Sequence, residues 1–397
     1  MIELIQWLLF GFIAGCFTGL TPGIHANNLA ALALFLSFAN PITAAVFILS
    51  AGITHSFVDI IPAIYLGAPE DETIFSALAG HRFFLEGRGI YAVRLALIGS
   101  LFAGIISIII ALPLFSFLVN FFELISFLVP SSILLALTLT VFEKQNINSV
   151  KSNLIVVFLS GFLGISCMNL NFEALLIAGI TGFFGAGNAV ISVLFPPKIK
   201  EQKNEFSEFD LIDSIKFASF ASFLGAFTAV MPSISAGQSA LIGKKIAGKM
   251  KPENYMVFVG GLNTSTQLLS MIVLFAVGKT RTGIAKAVSG LIELDLGNML
   301  LLLAVSIACF GLAFFAAEFF SVNAGKIIPK INYKAVNLGI LGFLALINLF
   351  FGGTMGLIVF ASATAIGTYC ILSSAKRSAM MAFLMLPTFL IYLNLMH

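Results

Sequence analysis

The chain has 397 residues, of which 59% are hydrophobic and only 10% are charged, and its mean hydropathy is +1.06. Soluble domains carry roughly 25% charged residues, so this composition excludes a protein whose whole surface faces water. The formal net charge is +3, and no basic tail or patch indicates nucleic acid as a partner.

Apolar runs of about 17 to 25 residues recur from end to end, which is the length that crosses a hydrocarbon core. These runs are continuously apolar, unlike the alternating strands of a membrane β-barrel. We therefore predict an all-α polytopic membrane protein, a multi-pass protein of the cell membrane in contact with its lipids. The four cysteines are scattered through apolar stretches without paired spacing, which favours buried apolar residues over disulfides or metal ligands.

The first apolar helix covers residues 3–19, and a shorter run of about 12 residues follows a polar break, too short for a full span. We predict that the break is a hairpin or discontinuous helix at membrane depth, where free backbone N–H groups favour an anion. An ordinary turn outside the membrane is the alternative. The substrate-binding candidates here are Thr21, Pro22, Gly23, His25, Asn27 and Asn28, and the two asparagines suit helix caps.

A second span, from Pro41 to about Leu66, contains His55 and Asp59 on one helix face. Ionisable residues inside a membrane span are functional candidates, and a coupling proton site is one interpretation of this pair. A structural pair within the bundle, or an interfacial pair, is the alternative.

Further apolar segments follow a stretch that contains Arg82, Arg88 and Arg94. They cover about residues 95–112, 114–129, 131–142, 153–168 and 173–195. Residues 197–213 form the most polar stretch, which we interpret as a linker and not as a domain.

The beginning of the chain recurs at an offset of 210 residues. Gly15, Phe17, Thr18, Pro22, Ile24 and Ala26 fall on Gly225, Phe227, Thr228, Pro232, Ile234 and Ala236. The repetition of the helix-breaking proline predicts two structural repeats, residues 1–196 and 214–397, of the kind found in transporters. Chance similarity between two Gly/Ala-rich helices is the alternative. The second hairpin, about residues 215–242, adds Pro232, Ser233, Ser235 and Gln238 as substrate-binding candidates.

In the second repeat, the helix from Tyr255 to Val277 carries neutral polar residues instead of an ionisable pair. Asn263, Thr264, Ser265 and Thr266 are suited to binding a polar solute or Na⁺ through oxygen atoms. Hydrogen bonding between helices is the alternative. Spans at about 297–319, 335–350, 353–373 and 379–396 complete the chain.

Loop charges predict the orientation of the repeats. Lysines crowd the loop from Lys244 to Lys251, whereas its equivalent from Ser37 to Pro41 is uncharged. Because positive residues mark the cytoplasmic side, the two loops lie on opposite sides and the repeats are inverted. Lys279, Arg281 and Lys286 would then lie outside, against the rule. Either the predicted topology is wrong at this point, or these cations belong to a re-entrant element and attract an anion.

Two stretches carry a resemblance to a known family. GLTPGIHANNLAALAL and GAPEDETIFSALAGHRFFLEGRG resemble two motifs of the large membrane subunit of tripartite tricarboxylate transporters, the TctA family. The motif positions that carry over are Pro22, Gly23, Pro69 and Glu70. The resemblance implies a secondary transporter of di- and tricarboxylates, working with a small membrane subunit and an extracytoplasmic binding protein. The chain departs from the family in its shorter length, in His25 and in Asp59.

The leading hypothesis is a cation-coupled importer of a small organic anion that works by alternating access, without a cofactor other than Na⁺ or H⁺ as coupling ion. A transporter of a lipid-linked phosphate is the alternative, because the same helix N-termini would bind its head group. An intramembrane enzyme is disfavoured, since no metalloprotease, serine hydrolase or paired-aspartate motif is present. A homodimer is left open.

Overall fold

A computed structural model describes residues 2–21, 40–66, 74–127, 129–142, 147–168, 170, 172–196, 200–204, 210–231, 236–280, 282–330 and 332–393. Within these ranges the chain is helical and contains no strand, which confirms the predicted all-α class. Nine described helical stretches are long and apolar enough to cross a membrane. The prediction of a multi-pass membrane protein is therefore confirmed.

The α-helices of the described ranges vary from short connecting turns to long membrane-length rods. In chain order they are α1 (Ile2–Leu20), α2 (Pro41–Val58), α3 (Ile60–Tyr65), α4 (Ile74–Leu85), α5 (Gly89–Phe127), α6 (Val129–Phe142), α7 (Ile147–Met168), α8 (Phe172–Ile180), α9 (Gly187–Leu194), α10 (Leu211–Val230), α11 (Ala236–Ala247), α12 (Pro252–Val277), α13 (Gly283–Ser289), α14 (Leu296–Ile327), α15 (Tyr333–Leu372) and α16 (Ala382–Tyr392). A π-helical turn, Thr181–Ala186, joins α8 to α9.

Two helical segments, each fully buried over 18 consecutive residues, form the centre of the larger of two apolar clusters. One is α2 with its continuation α3, and the other is α12. Met256, near the start of α12, and Ile64, near the end of α3, both lie against Gly80. The two segments therefore run antiparallel.

Helix α1 packs along α2 in the same direction, with Gly15 against Ala51 and Gly19 against Val58. A Cβ atom on Gly15 would lie 2.4 Å from the carbonyl oxygen of Ala51, so this approach requires glycine. Because α1 ends beside Val58, it stops short of Tyr65, where α3 ends.

Helix α10 is related to α12 as α1 is to α2. Near their starts, Asn254 donates to Asp213 at 3.0 Å, and further along Gly225 lies against Ser265, so the two helices are parallel. Since α12 is antiparallel to α2, the α1–α2 and α10–α12 pairs run in opposite directions. Two inverted repeats would produce this arrangement, and the repeat boundaries stay a prediction.

Helices α10 and α11 form a hairpin around residues 232–235, which lie outside the described residues. Thr228 donates to Ser239 across the hairpin, and Gly243 packs against Leu224. The chain therefore returns to the end of the bundle at which α10 began.

The smaller cluster contains α6 to α9, α15 and α16. Helix α15 reverses at Gly353, whose φ of 60° and ψ of −152° are not helical. Gly356 approaches the carbonyl oxygen of Asn348, which lies about 12 Å away in a straight helix. The two arms of α15 agree with the predicted break between segments 335–350 and 353–373.

The structure corrects two predicted boundaries. Segments 95–112 and 114–129 are not separate, because α5 continues through Pro113. Membrane helices tolerate proline where neighbouring helices support the freed backbone groups. The predicted linker ends early, since Asp210 caps α10 and Leu211 to Asp213 belong to that helix.

Residues 200–204 of the linker are docked to the bundle. Gly89 N, at the start of α5, donates to Gln202 Oε1 at 2.8 Å, and Lys203 N donates to Gly87 O at 2.9 Å. Arg94 Nη2 donates to Asn204 Oδ1 at 2.7 Å. Residues 200–204 therefore form part of the packed structure.

Candidate functional site

Polar side chains concentrate where the last turn of α2 and its junction with α3 meet the middle of α12. His55, Asp59 and Asn263 are 3%, 4% and 1% exposed, and Thr264 and Thr266 are equally buried. Ionisable and amide side chains are costly inside an apolar bundle, so their concentration at one level marks a candidate functional site.

His55 is linked to α1. Its Nδ1 atom lies 3.0 Å from Thr18 Oγ1, and the same hydroxyl lies 3.1 Å from the carbonyl oxygen of Ala14. When the Thr18 hydroxyl donates to Ala14 O, His55 Nδ1 carries a proton and donates to the hydroxyl. In the other tautomer Nδ1 carries no proton and accepts a hydrogen bond from the hydroxyl. The close packing of Gly15 and Gly19 on α2 brings Thr18 within reach of the imidazole.

Asp59 lies at the junction of α2 and α3 and contacts α12. Asn263 Nδ2 donates to Asp59 Oδ2 at 3.3 Å and approaches the carbonyl oxygen of Ser56 at 3.4 Å. The two groups of coupling candidates, one from each half of the chain, are therefore in contact.

Four side-chain oxygens on these two helices have no hydrogen-bond partner within the described part of the chain. They are Thr54 Oγ1, Asn263 Oδ1, Thr264 Oγ1 and Thr266 Oγ1. Buried polar atoms are nearly always paired, so such a group indicates atoms that accept a ligand or water. Hydroxyl, amide and carboxylate oxygens are the ligands that hard cations take.

Ser265 has a different environment from its neighbours. Its hydroxyl donates to the carbonyl oxygen of Ala221 on α10 at 3.2 Å, and Gly225 packs directly against it. Ser265 therefore joins α12 to α10 by a hydrogen bond between helices, the alternative that the sequence left open for this group.

The structure describes few of the substrate-binding candidates. Thr21 lies at the end of α1, where its hydroxyl donates to Phe17 O at 2.7 Å. The backbone of Gln238 belongs to α11. The candidates that lie outside the described residues are Pro22, Gly23, His25, Asn27, Asn28, Pro232, Ser233, Ser235 and Arg281, together with Pro69 and Glu70 from the family motif.

Lys279 is not brought to this site. It follows Gly278, which ends α12 in a left-handed conformation, and its exposed ammonium lies 5.4 Å from the ring centre of Phe122. At a helical rise of about 1.5 Å per residue, the end of α12 lies about 20 Å from Asn263.

Within the described residues, no three His, Cys, Asp or Glu side chains are grouped so that they could hold a metal ion. The four cysteines are free and buried, as predicted. A cation at the α2–α12 contact would therefore be held mainly by neutral oxygens.

A second polar group was not predicted from the sequence. It lines a cleft of about 800 Å³, and its charged side chains are Arg82, Glu86, Arg88, Lys244, Glu253, Lys376 and Arg377. We call this the basic cleft. Its basic residues are nearly 300 positions apart in the chain, so no local pattern indicates that they meet.

The chain is similar to known proteins over nearly its whole length. The family model described as Tripartite tricarboxylate transporter TctA family matches residues 5–382. An uncharacterized protein of Methanocaldococcus jannaschii is 33% identical over 410 aligned residues, which cover 99% of this chain and 100% of that protein. No solved structure gives a significant match.

Proposed function

The chain belongs to the tripartite tricarboxylate transporter TctA family, and on that premise we propose that it imports a small organic anion in a cation-coupled cycle of alternating access. Membership implies a carboxylate substrate and association with the other components of a tripartite transporter. We propose that these are a small membrane subunit and an extracytoplasmic binding protein.

The buried contact between Asp59 and Asn263 is the observation that carries this proposal. A carboxylate in an apolar interior is stable only when it is protonated or accompanied by a cation. We propose that a coupling ion, H⁺ or Na⁺, provides one of these two states. A Na⁺ ion would take further ligands from the neutral oxygens of this group, of which Asn263 Oδ1 belongs to the side chain that contacts Asp59, whereas a proton would have His55 available nearby.

The opposed helix pairs support alternating access. Helix α1 enters beside α2 from one end of the bundle, and the α10–α11 hairpin enters and leaves at the other. Re-entrant elements from opposite sides give a central site one closure towards each compartment.

The substrate would bind where the two broken elements approach the α2–α12 contact. The candidate segments Thr21 to Asn28 and Met231 to Gln238 directly follow α1 and α10 in the chain. Backbone N–H groups at the start of a following helix favour a carboxylate. Their positions stay a prediction.

Uptake by purified protein in liposomes tests the coupling directly. Labelled citrate would be followed under an inward Na⁺ gradient, an inward H⁺ gradient or no gradient, for the wild type and for Asp59→Asn. We expect one gradient to accelerate wild-type uptake, and Asp59→Asn to abolish that acceleration while citrate–citrate exchange continues. Gradient-driven uptake by Asp59→Asn at the wild-type rate would contradict the role of Asp59.

A matched pair of variants tests the neutral oxygens. Thr264→Val removes a hydroxyl that has no partner in the described structure, whereas Thr140→Val removes one that donates to Ala136 O at 2.9 Å in the other cluster. We expect only Thr264→Val to raise the Na⁺ concentration needed for half-maximal uptake.

Stabilisation of the protein by a soluble polyprenyl phosphate, and not by citrate, would favour the lipid-linked phosphate.

A further inference from the structure

The basic cleft carries more positive charge than the described side chains around it neutralise. Five basic side chains line it, against the two carboxylates Glu86 and Glu253. A volume of about 800 Å³ lies within the range of small-molecule sites.

Both carboxylates are already paired with arginines. Arg82 Nε lies 3.1 Å from Glu86 Oε1, in an exposed pair, and Arg88 Nη2 lies 4.0 Å from Glu253 Oε1. The guanidinium of Arg88 also lies over the ring of Tyr91, 4.8 Å from its centre.

Arg377 is a basic residue of the cleft that has no carboxylate partner among the described residues. In the described structure no carboxylate oxygen lies within 4 Å of its guanidinium, and its side chain is largely buried at the wall of the cleft. Among the described residues, Lys244 contacts the ring of Tyr255, with its Nζ 5.3 Å from the ring centre. A buried guanidinium keeps its charge, so an anion in the cleft would remove an energetic cost.

The wall that carries Arg377 is held in place. Lys376 N donates to Asn153 Oδ1 at 2.8 Å, and Asn153 Nδ2 reaches the carbonyl oxygens of Thr140 and Val141. Ser374 adopts a φ of 54°, a conformation that fixes a tight turn. This turn belongs to the smaller cluster, whereas the Arg88 and Lys244 side of the cleft belongs to the larger one, so the cleft lies between them.

We propose that the basic cleft is a binding site for a multivalent carboxylate anion that contacts both clusters at once. The class of ligand rests on the proposed function, and the site would hold the transported anion at the end of the bundle opposite α13. Arg377 and Lys244 would bind it through charge-assisted hydrogen bonds, which are stronger than neutral ones.

Acetylation of lysines in the full-length protein, read by mass spectrometry at pH 8, reports on the cleft itself. The protein would be held in nanodiscs of zwitterionic lipid and treated with an acylating reagent, with or without citrate. We expect citrate to slow the acetylation of Lys376 and Lys244 several-fold and to leave Lys326, an exposed lysine at the same end, unchanged. Equal acetylation of Lys376 in both conditions would overturn the proposal.

Variants separate this site from the central one. Arg377→Gln should weaken citrate binding, measured by calorimetry, by about tenfold, and Lys326→Gln should not. Because a buried arginine is a risk to folding, the exposed Arg82→Gln provides a second variant, with a smaller loss of affinity. Wild-type binding that survives both cleft variants and is lost in Asp59→Asn would overturn the cleft proposal and leave the proposed function standing. No binding of any di- or tricarboxylate would contradict the proposed function.

Two further probes define the ligand class. Inorganic phosphate that protects Lys376 at lower concentration than citrate would overturn the assignment to carboxylates. Protection by phosphatidylglycerol nanodiscs without citrate would overturn it in favour of a lipid head group.

Discussion

The side-chain amide of Asn263 donates to the carboxylate of Asp59 at 3.3 Å, and the two residues come from different halves of the chain. The same amide lies 3.4 Å from the carbonyl oxygen of Ser56, so it reaches the last turn of α2 as well as the junction with α3. One side chain thus connects the buried carboxyl group to the opposing helix and leaves its own amide oxygen for another ligand.

Replacement of this amide should alter ion coupling. Asn263→Leu removes the donor to Asp59 and an oxygen candidate, so the coupling ion should bind about tenfold more weakly. The ion dependence of citrate uptake in liposomes measures this. The control is Asn348→Leu, which removes a buried amide that donates to Thr181 Oγ1 at 2.9 Å in the other cluster. Equal ion dependence in the two variants would argue against the role of Asn263.

A methyl group at Gly15 should separate α1 from α2. Its Cβ would lie 2.4 Å from Ala51 O and 2.7 Å from Thr54 Cβ, and backbone atoms cannot rotate away. Gly15→Ala should therefore lower the free energy of unfolding by about 1 to 3 kcal/mol, measured by thermal denaturation in detergent. Gly311→Ala, where nothing lies within 4 Å of the added carbon, should be neutral or slightly stabilising. A neutral Gly15→Ala would mean that α1 is packed more loosely.

The basic cleft should give stability a characteristic pH dependence. Burial lowers the pKa of Lys376 from 10.5 to about 8, so below pH 8 the folded protein carries the cost of a charged amine that is partly buried. Between about pH 8 and 10.5 the unfolded chain binds more protons than the folded one at this position, and stability therefore rises with pH. Lys376→Met should remove this rise and stabilise the protein at pH 7. Denaturation midpoints of both proteins from pH 7 to 10, compared as a difference, measure it, and a constant difference would contradict the assignment.

The ion pair between α5 and α14 should matter more than the exposed pair on α4. Arg94 Nη2 lies 2.6 Å from Glu318 Oε1, and their side chains are only 10% and 25% exposed. Arg94→Met leaves a largely buried carboxylate and should cost about 3 kcal/mol, which Glu318→Met in the same protein should partly restore. Arg82→Met breaks the exposed pair with Glu86 and should cost less than about 1 kcal/mol. Additive losses in the double variant would show that the two side chains do not stabilise each other.

Local features of the sequence predicted much of this architecture. Run length and composition indicate membrane helices directly, and the ends of α1 and α10 coincide with the predicted breaks because glycine, threonine and proline act within a turn. The reversal in α15 was predictable for the same reason, since Gly353 lies between two apolar runs. The predicted break at Pro113 was wrong, because the rule that proline ends a helix does not take into account the neighbouring helices that support α5.

Contacts between residues that are far apart in the chain could not be predicted from the sequence. The sequence identified two groups of candidates, His55 with Asp59 and Asn263 with its neighbours. Nothing in a single sequence indicates that Asn263 contacts Asp59. Arg377 was passed over because a single arginine in a short connection resembles an orienting loop charge. Its importance depends on Arg82 and Lys244, which only the fold brings near.

The docking of residues 200–204 determines where the chain can be interrupted. A segment that only connects two halves could be lengthened, tagged or cut, and the halves could be produced as separate polypeptides that reassemble. Here, Gln202 accepts from the first amide of α5 and Asn204 accepts from Arg94. Division within these five residues would leave both donors exposed to the solvent beside a largely buried ion pair. Residues 200–204 thus connect the two halves and also pack against the start of α5. A split version of this protein would have to keep these residues attached to the amino-terminal half.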